Sequence, residues 1–380
     1  MFTSNYPHYQ PGSPTLLPTP TRVGALPAYT GKGVVIAFID AGFYPHPDLA
    51  ERIIVHADAS TNRIIEQREG FDSGDLSWHG QMTTFIAAGD GRTSGGLYRG
   101  IASDARLVLV KVSTPRGHIK ETDILRGLRW VYDTHKRLGV QIVNISVGGD
   151  FVSHDPNHPL HKIIRKLTKA GVTVVVAAGN RSVPHLLPPA SAADAITVGG
   201  LDDRNSLHSA EWVLYHHNYG DIYDNGHKPE LIAPANWIAS PIKPGTRIAQ
   251  EARWLAPLLL EKMDEARLKA LLEQGHAELG LTRQDIASAN GHLHHMIQDR
   301  INTHKLIDMH HQHVDGTSVA APIVSAVIAQ MLEANNRLTP KQIRAILTAT
   351  ATPMPNAPAE RQGAGILNAA AAVQSATILS

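Results

Sequence analysis

Short runs of apolar residues alternate with stretches of helical periodicity along the first half of the chain. The apolar runs are rich in valine and isoleucine and occupy residues 34–39, 107–112, 140–146 and 172–178. Each has the length of a buried parallel strand. The helical patterns lie between these runs, over residues 122–138 and 158–170. The alternation predicts an α/β fold, with a doubly wound, mostly parallel sheet and helices on both faces.

The last third of the chain predicts further helices. Thr339, Pro340 and Gln342 form a capping-box sequence that predicts a helix over about 340–350. Upstream, residues 245–312 carry apolar residues at helical spacing and a fresh N-cap pattern over 281–285. We interpret this stretch as a helical insertion, either a hairpin or a small subdomain. Its apolar positions are Trp254, Leu255, Leu258, Leu259, Met263, Leu268, Leu271, Leu272, Ile286, Leu293, Ile297 and Ile301.

Two side chains with catalytic chemistry follow predicted strands. Asp40 stands where the strand over 34–39 stops, and Asn180 comes after the strand over 172–178 and Gly179. The carboxyl ends of parallel strands meet at one edge of a sheet, so we expect both side chains at that edge. Each also has an ordinary explanation, because Asp40 alone could cap a strand end and Asn180 alone could take a left-handed turn conformation.

A histidine and a serine stand at the starts of predicted helices. His79 opens a helix-compatible run, and Ser318 lies in Gly316–Pro322, where a glycine turn precedes small residues. A hydroxyl at a helix N-terminus faces unpaired N–H groups and the positive end of the helix dipole, which favour developing negative charge. Taken singly, His79 is also explained as a helix-end polar residue and Ser318 as a turn serine.

The order of three of these residues is informative. Asp40, then His79, then Ser318 is one of the chain orders in which the acyl-transfer triad recurs. With the sequences that flank these three residues, the chain resembles the subtilisin-like serine proteases, the subtilases. The resemblance covers nearly the whole chain and implies a subtilisin-like fold and peptide-bond hydrolysis. Two further subtilase-like segments, at residues 187–191 and 228–234, are expected to support the scaffold.

The resemblance implies a role for each residue. Ser318 would be the nucleophile, and His79, with an ordinary pKa of about 6.5, would accept its proton. Asp40 would accept a hydrogen bond from the other ring nitrogen, fix the tautomer and stabilise the imidazolium. Asn180 would donate to the tetrahedral oxyanion, beside the backbone N–H of Ser318.

Two positions depart from the family pattern. Ala41 replaces the hydroxyl residue that usually follows the aspartate, and Gln81 stands where subtilases usually have a threonine. Neither change removes a catalytic group. Each is expected to loosen the support of His79 or Asp40.

The resemblance also implies where substrate binds. A strand that ends in two glycines lets an extended peptide approach closely and add as a further strand. In the family such a segment pairs with the substrate and walls the pocket for the residue before the cut, and the segment before the oxyanion asparagine lines the other side. The corresponding residues are Ser146, Val147, Gly148 and Gly149 on one side and Ala177, Ala178 and Gly179 on the other.

Composition narrows the classes of function. The 380 residues are 43% hydrophobic and 18% charged, with a formal net charge of +1, so neither nucleic acid nor a membrane is expected as a partner. The absence of cysteine excludes disulfides and thiolate–metal sites. Residues 1–30 contain six prolines but no basic segment followed by an apolar one, and no apolar stretch reaches transmembrane length. We therefore expect a cytoplasmic location.

These observations predict three parts of the chain. They are a Pro-rich N-terminal arm over 1–30, a subtilisin-like peptidase domain over 31–380, and the insertion over about 245–312. The arm is too short for a folded pro-domain. It is either a flexible tail or an extended segment that covers the cleft, in which case its deletion should raise activity. The insertion lies close to Ser318 in sequence, which suggests a lid, a specificity element or a contact in a homo-oligomer.

The insertion also raises the question of metals. His292 and His295 could face one another on a helix and bind zinc, but no acidic residue completes a recognised zinc motif. A solvated polar helix face is therefore favoured. Calcium is common in the family, yet no acidic loop has EF-hand spacing, and sites built from backbone carbonyls do not show in a sequence. We expect no metal or cofactor to be required for the chemistry.

The sequence thus predicts a serine endopeptidase that hydrolyses extended polypeptides through an acyl-enzyme on Ser318. Gated or restricted specificity is expected, because general digestion inside a cell would be hazardous. The alternative is a catalytically weak relative that binds peptides or assembles through its insertion. The intact set of Asp40, His79, Asn180 and Ser318 favours the enzyme. The preferred residue before the cut, the physiological substrate and the oligomeric state have no signal in the sequence.

Overall fold

The computed structural model describes residues 2–13, 15–67, 74–260, 263–288 and 291–378. The predicted arm, insertion and peptidase domain also include a few residues that lie outside the described ones. These are residues 1, 14, 68–73, 261–262, 289–290 and 379–380.

Within the described residues, nine strands form the central sheet. In spatial order they are β11 (Leu231–Pro234), β7 (Ile196–Asp202), β6 (Thr173–Ala177), β5 (Val140–Ile145), β1 (Val35–Asp40), β4 (Arg106–Lys111), β2 (Ile53–Asp58) and β3 (Ile65–Gln67), with β8 (Val213–Leu214) beside β7. Only β3 and β8 run antiparallel to their neighbours among these strands. The mostly parallel sheet confirms the predicted fold class.

Two small antiparallel pairs lie outside the main sheet. One joins β9 (Gly220–Asp221) to β10 (His227–Lys228). The other joins β12 (Ile238–Pro241) to β13 (His311–Val314). The second pair brackets the predicted insertion, because its two strands lie just before and just after the inserted helices.

The helices follow the strands as the alternating pattern predicts. They are α1 (Thr19–Arg22), α2 (Ser77–Ala88), α3 (Glu121–Leu138), α4 (Pro159–Lys169), α5 (Arg247–Leu260), α6 (Glu265–Gly275), α7 (Arg283–Ser288), α8 (Gly291–Thr303), α9 (Thr317–Ala334), α10 (Pro340–Thr350), α11 (Ala359–Gln362) and α12 (Ala369–Ile378). Short 3-10 helices occupy Ala50–Arg52, Gly74–Leu76, Arg92–Ser94 and Ser209–Glu211. Thr339 and Gln342 form the predicted capping box at the start of α10.

Alternate residues of the strands supply two hydrophobic cores, one on each face of the sheet. In β1, Ile36 and Phe38 pack into the core that holds α2 and α9. Ala37 and Ile39 pack into the core that holds α3 and α4. This period-two alternation is why strands buried on both faces read as continuous apolar runs in the sequence.

Helix α9 lies in the larger core. Among the described residues it is the one helix that is long and apolar enough to cross a membrane by length and composition alone. The expectation that no apolar stretch reaches transmembrane length was therefore wrong. Its mean hydropathy is 1.4, and 89% of the helix is buried inside the fold. Burial of this kind is typical of a core helix, and it fixes the N-terminus of α9, where Ser318 lies.

The inserted helices have a core of their own. Their inward residues form a third cluster, separate from the two cores of the sheet, and the N-terminal Phe2 packs into the same cluster. The predicted N-cap is present, because the Thr282 hydroxyl accepts a hydrogen bond from the Asp285 N–H at 3.1 Å and donates to the Asp285 carboxylate at 2.6 Å. Arg247 and His304 both bond to the buried carboxylate of Glu251.

The N-terminal arm packs against the rest of the molecule. The Ser4 hydroxyl donates to the Leu306 carbonyl at 2.8 Å. The guanidinium of Arg22 is fully buried and donates to Asp203 at 2.5 Å and to the Trp237 carbonyl at 2.7 Å. The described arm therefore does not have the contacts of a free tail, and none of its residues lines the pocket that contains Ser318.

Candidate active site

Asp40 is held at the carboxyl end of β1 with its side chain fully buried. Its Oδ1 accepts a hydrogen bond from the Ala41 N–H at 2.7 Å, and the Thr83 hydroxyl lies 3.2 Å from its Oδ2. Thr83 is one turn beyond His79 on α2. Sequence analysis missed Thr83. Its hydroxyl contacts Asp40, whereas residue 41, directly after Asp40, is an alanine and has no hydroxyl to offer.

His79 contacts Asp40 through its Nδ1, which lies 2.6 Å from Asp40 Oδ1. Because a carboxylate only accepts, Nδ1 carries the proton and Nε2 is left to accept one. Burial by itself would lower the pKa of His79, but the charge of Asp40 and the hydrogen bond to it outweigh burial and raise the pKa. The pair is a base oriented by a carboxylate.

A glycine after His79 allows helix α2 to approach β1 closely. A Cβ at Gly80 would collide with the Gly42 carbonyl oxygen and lie 3.0 Å from the Cβ of Asp40. The Gln81 side chain is buried, and its Oε1 accepts a hydrogen bond from the Tyr44 N–H at 3.3 Å. Gln81 thus contacts the segment that follows Asp40 and not Asp40 itself.

Ser318 is the second residue of α9 and is only 8% exposed. Its position in the first turn leaves its N–H without an acceptor inside the helix. Gly316 has a φ of +134°, and a Cβ there would lie 3.0 Å from Ser318 Oγ and 3.3 Å from Asn180 Nδ2. Glycine therefore permits both the turn and the space around the serine hydroxyl.

Asn180 is oriented by the residue next to Ser318. Its Oδ1 accepts hydrogen bonds from the N–H of Thr317 at 2.9 Å and from the Thr317 hydroxyl at 2.8 Å. Two donors on one side of the amide identify that atom as oxygen, so the amide NH₂ faces the other way. The Asn180 NH₂ and the Ser318 N–H are then two donors beside one hydroxyl. Thr317 is a second residue that sequence analysis missed.

A pocket of about 140 Å³, here called the Ser318 pocket, brings the predicted residues together. His79, Asn180 and Ser318 line it, as do all the predicted substrate-binding residues except Gly149. Among the described contacts His79 has no hydrogen bond to Ser318. Such bonds commonly tighten only when substrate binds.

Gly149 does not line the Ser318 pocket. Its N–H donates to the Pro188 carbonyl at 2.6 Å, and a Cβ there would collide with the Glu121 carboxylate. The segment expected only to support the scaffold lines the pocket instead, through Leu187, Pro189 and Ala190.

Asn218 also lines the Ser318 pocket and was missed. Its Oδ1 accepts from the Arg181 N–H at 2.8 Å, and a Cβ at Gly179 would lie 2.8 Å from its Nδ2. Asn218 falls in the stretch 203–222, whose sequence has no transferable pattern. Asn218 can be recognised only from the folded structure, where its side chain packs against Gly179 just after β6.

A chain of buried hydrogen bonds ties α9 to β5 below the pocket. The Ser325 hydroxyl donates to Asn144 Oδ1 at 3.0 Å, and Asn144 Nδ2 donates to Ser146 Oγ at 3.0 Å. The Ser146 hydroxyl lies 3.4 Å from the Ser318 carbonyl. This chain connects the strand of the predicted substrate-binding segment to the helix that carries the serine.

The described residues offer no cluster of metal ligands. Within the described residues no group of three or more histidine, aspartate or glutamate side chains could hold a metal ion. The pair His292 and His295 has no third ligand there. The donors at Ser318 are hydroxyl, imidazole and amide groups, a set suited to acyl transfer.

Comparison with known proteins places the chain in a family. The subtilase family model (Peptidase_S8) matches residues 31–365. Serine protease AprX of Bacillus subtilis (strain 168) is 28% identical over 348 residues, which cover 90% of this chain and 66% of that protein. Subtilisin Savinase of Lederbergia lenta is 31% identical over 180 residues, which cover 47% of this chain and 59% of that protein. The matches therefore span 66% or less of these curated relatives.

Solved structures show the same fold. A protease from Pseudoalteromonas arctica superposes with a TM-score of 0.62 at 22% identity, covering 98% of this chain and 99% of that one. Fervidolysin from Fervidobacterium pennivorans, described as a keratinolytic enzyme related to subtilisin, gives a TM-score of 0.63 at 18% identity, covering 98% of this chain and 51% of that one. With a family match over residues 31–365, the chain belongs to the subtilase family of serine peptidases.

Proposed function

We propose that this protein is a serine endopeptidase in which Asp40, His79 and Ser318 form the catalytic triad. The observation that carries the proposal is the convergence of His79, oriented by Asp40, with Ser318 and Asn180 at one pocket. A hydroxyl, an oriented imidazole and fixed N–H donors are the three parts that acyl transfer needs. Membership of the subtilase family supports the same chemistry.

In the first half of the reaction, Ser318 Oγ attacks the carbonyl carbon of the scissile bond while His79 Nε2 takes the hydroxyl proton. The oxyanion that forms accepts hydrogen bonds from the Asn180 NH₂ and the Ser318 N–H. His79 then gives its proton to the leaving nitrogen, the C–N bond breaks, and the acyl group stays on Ser318. Asp40 stabilises the imidazolium throughout without taking its proton.

In the second half, water attacks the acyl-enzyme carbonyl while His79 takes one of its protons. The carbon–oxygen bond to Ser318 then breaks, and His79 returns the proton to Ser318 Oγ. The acid product leaves and the enzyme is restored. No cofactor enters this scheme.

The substrate we propose is a polypeptide in extended conformation. Its backbone would lie along Ser146, Val147 and Gly148, with the residue before the cut in the Ser318 pocket. A pocket of about 140 Å³ is small beside a typical ligand site of roughly 300–1,000 Å³. We take this as support for restricted specificity. The cytoplasmic location and a homo-oligomer contact through the insertion stay predictions.

The test is hydrolysis of casein and of a set of short peptides by wild type and Ser318→Ala. Hydrolysis of some peptides by wild type alone is the expected result. Rapid digestion of casein at many sites would contradict restricted specificity but not the chemistry. Peptide binding by folded wild type without hydrolysis would favour the alternative, a catalytically weak peptide-binding relative.

A further inference from the structure

A second cavity, here called the insert pocket, lies next to the catalytic residues and has a volume of about 430 Å³. That volume falls in the range of roughly 300–1,000 Å³ typical of binding sites. The insert pocket and the Ser318 pocket share no lining residue. Its walls come from Trp78, from the segment between β12 and α5 and the start of α5, from the end of α8 and the two residues after it, and from β13 with the following Asp315.

Two walls join the insert pocket to the catalytic residues. Trp78 directly precedes His79, and their ring centroids are 5.4 Å apart. Asp315 lies three residues before Ser318, and its carboxylate is held by Lys305 Nζ at 2.7 Å and by the Tyr215 hydroxyl at 3.0 Å. A polypeptide bound across Ser318 and His79 could therefore place one side chain in the Ser318 pocket. A neighbouring side chain of the same polypeptide would lie within reach of the insert pocket.

Several titratable groups of the insert pocket already have partners. Lys305 is paired with Asp315, His304 Nε2 lies 2.8 Å from Glu251, and His313 Nε2 lies 2.7 Å from Asn5 Oδ1. A charged ligand group would have to compete with these contacts. Lys243 also lines the cavity, and its Nζ donates to the Gly74 carbonyl at 2.6 Å.

Four apolar residues also line the insert pocket. They are Ile242, Ile248, Val314 and Trp78, whose side chain is 39% exposed. An aromatic ring and three branched aliphatic side chains around one cavity fit a large apolar group, whose burial is favourable in proportion to the apolar area removed from water.

We propose that the insert pocket binds a large apolar side chain of the polypeptide substrate, from the first or second residue after the cut. The proposal rests on the proposed function and adds a specificity site to it. The Ser318 pocket takes the residue whose carbonyl is attacked, so the insert pocket is left for the part of the chain that departs with the leaving nitrogen. The insertion is then a specificity element that touches the substrate.

The N-terminal arm contacts the wall of the insert pocket that contains His313. Asn5 Oδ1 accepts a hydrogen bond from His313 Nε2, and Tyr6 packs edge-on against the His313 ring with centroids 6.1 Å apart. His313 lies on β13, two residues before Asp315. The arm thus braces the wall that connects the insert pocket to the serine.

The test compares substrates with identical residues before the cut. One is an anilide, which has no residue after the cut, and the others are quenched peptides with leucine, phenylalanine, glycine or aspartate at each of the two positions after it. We expect kcat/KM for leucine or phenylalanine to exceed that for glycine, and that for aspartate, by about tenfold or more at one position. Equal values for all four, with the anilide hydrolysed, would overturn the insert-pocket proposal alone. No hydrolysis of any substrate would overturn the proposed function and this proposal with it.

Two variants change the cavity in different ways. Ile248→Glu places a charge in the apolar wall, and Thr303→Trp fills the cavity from the end of α8. Both are expected to bring the leucine-to-glycine ratio of kcat/KM close to one. Leu260→Glu is the matched control, because Leu260 is on the same helix as Ile248, is 48% exposed and does not line the insert pocket. A ratio that both cavity variants leave unchanged would contradict the proposal.

Discussion

The Ser318 pocket and the insert pocket are neighbours that are built in different ways. At the Ser318 pocket, Asn180 follows one strand of the sheet, Asp40 ends another behind His79, and Ser318 lies in the first turn of a helix buried in the core. The insert pocket instead joins segments from across the chain, including a contact between Asn5 and His313, 308 residues apart. The first is positioned by regular secondary structure, the second by tertiary contacts.

Under the two proposals, this difference divides the molecule into a part that positions the reacting groups and a part that selects the substrate. The sheet and its two cores hold Asp40, His79, Asn180 and Ser318 in place. The insertion has a separate core that the arm completes with Phe2. Changes in the first part are therefore expected to alter turnover of every substrate, whereas changes in the second should alter selection or local stability.

The largest expected effect is at Asp40. Asp40→Asn should lower kcat by about 10⁴-fold, because the amide no longer fixes the His79 tautomer. Activity requires neutral His79, and Asp40 raises its pKa, so wild-type activity is lost as pH falls through that raised pKa. In the variant the acid limb of the kcat/KM profile should move to lower pH. An unmoved limb would contradict the assignment of Asp40 as the partner of His79.

Substitution of Arg22 tests whether the N-terminal arm contributes to the stability of the fold. Arg22→Ala leaves the Asp203 carboxylate buried without its cation, and burial already raises the pKa of Asp203 despite that cation. We expect a loss of about 3–5 kcal/mol in the free energy of unfolding, measured by urea denaturation. Arg204→Ala is the control, because Arg204 contacts Asp202 while remaining 48% exposed. Equal small losses in the two variants would mean that the arm is not an integral part of the fold.

Substitution of Asn180 tests its proposed role as a donor to the oxyanion. Asn180→Ala should lower kcat by about 10²–10³-fold with KM little changed, a magnitude measured for such a donor in a subtilisin. Thr317→Val removes the hydroxyl that orients the Asn180 amide but keeps the N–H contact. It should lower kcat by less than Asn180→Ala. A change confined to KM in both variants would assign Asn180 to ground-state binding instead.

The smallest effects compare two helix caps. Thr282 starts a helix of the insertion and Thr339 starts α10, and each threonine bonds to the residue three positions later. Replacement by alanine should cost roughly 1 kcal/mol in either case. In Thr339→Ala the loss should appear in global unfolding, whereas in Thr282→Ala it should appear as faster hydrogen exchange within the insertion alone. Identical behaviour of the two variants would contradict a separately stabilised insertion.

The sequence allows the sheet and the ends of its strands to be predicted because their signals are local. The apolar residues of β1 and β6 are consecutive in the sequence, and the capping box of α10 lies within four residues. Asp40 and Asn180 stand beside such runs, so their location at one edge of the sheet follows from the pattern.

Other parts of the site have no local signal. Thr83 contacts Asp40 across 43 positions, and Asn218 contacts Arg181 across 37. The arm was predicted from its prolines, but its anchor is Arg22, whose partner Asp203 is 181 positions away. The insert pocket likewise depends on how its helices pack, which periodicity alone does not determine.

The most direct test of the central claim is labelling with a fluorophosphonate probe, which reacts with an activated serine. Wild type, Ser318→Ala and His79→Ala would be compared after circular dichroism shows that all three are folded. The account predicts strong labelling of wild type and none of either variant. Folded wild type that stays unlabelled, or Ser318→Ala that labels as wild type does, would contradict an assembled triad on Ser318.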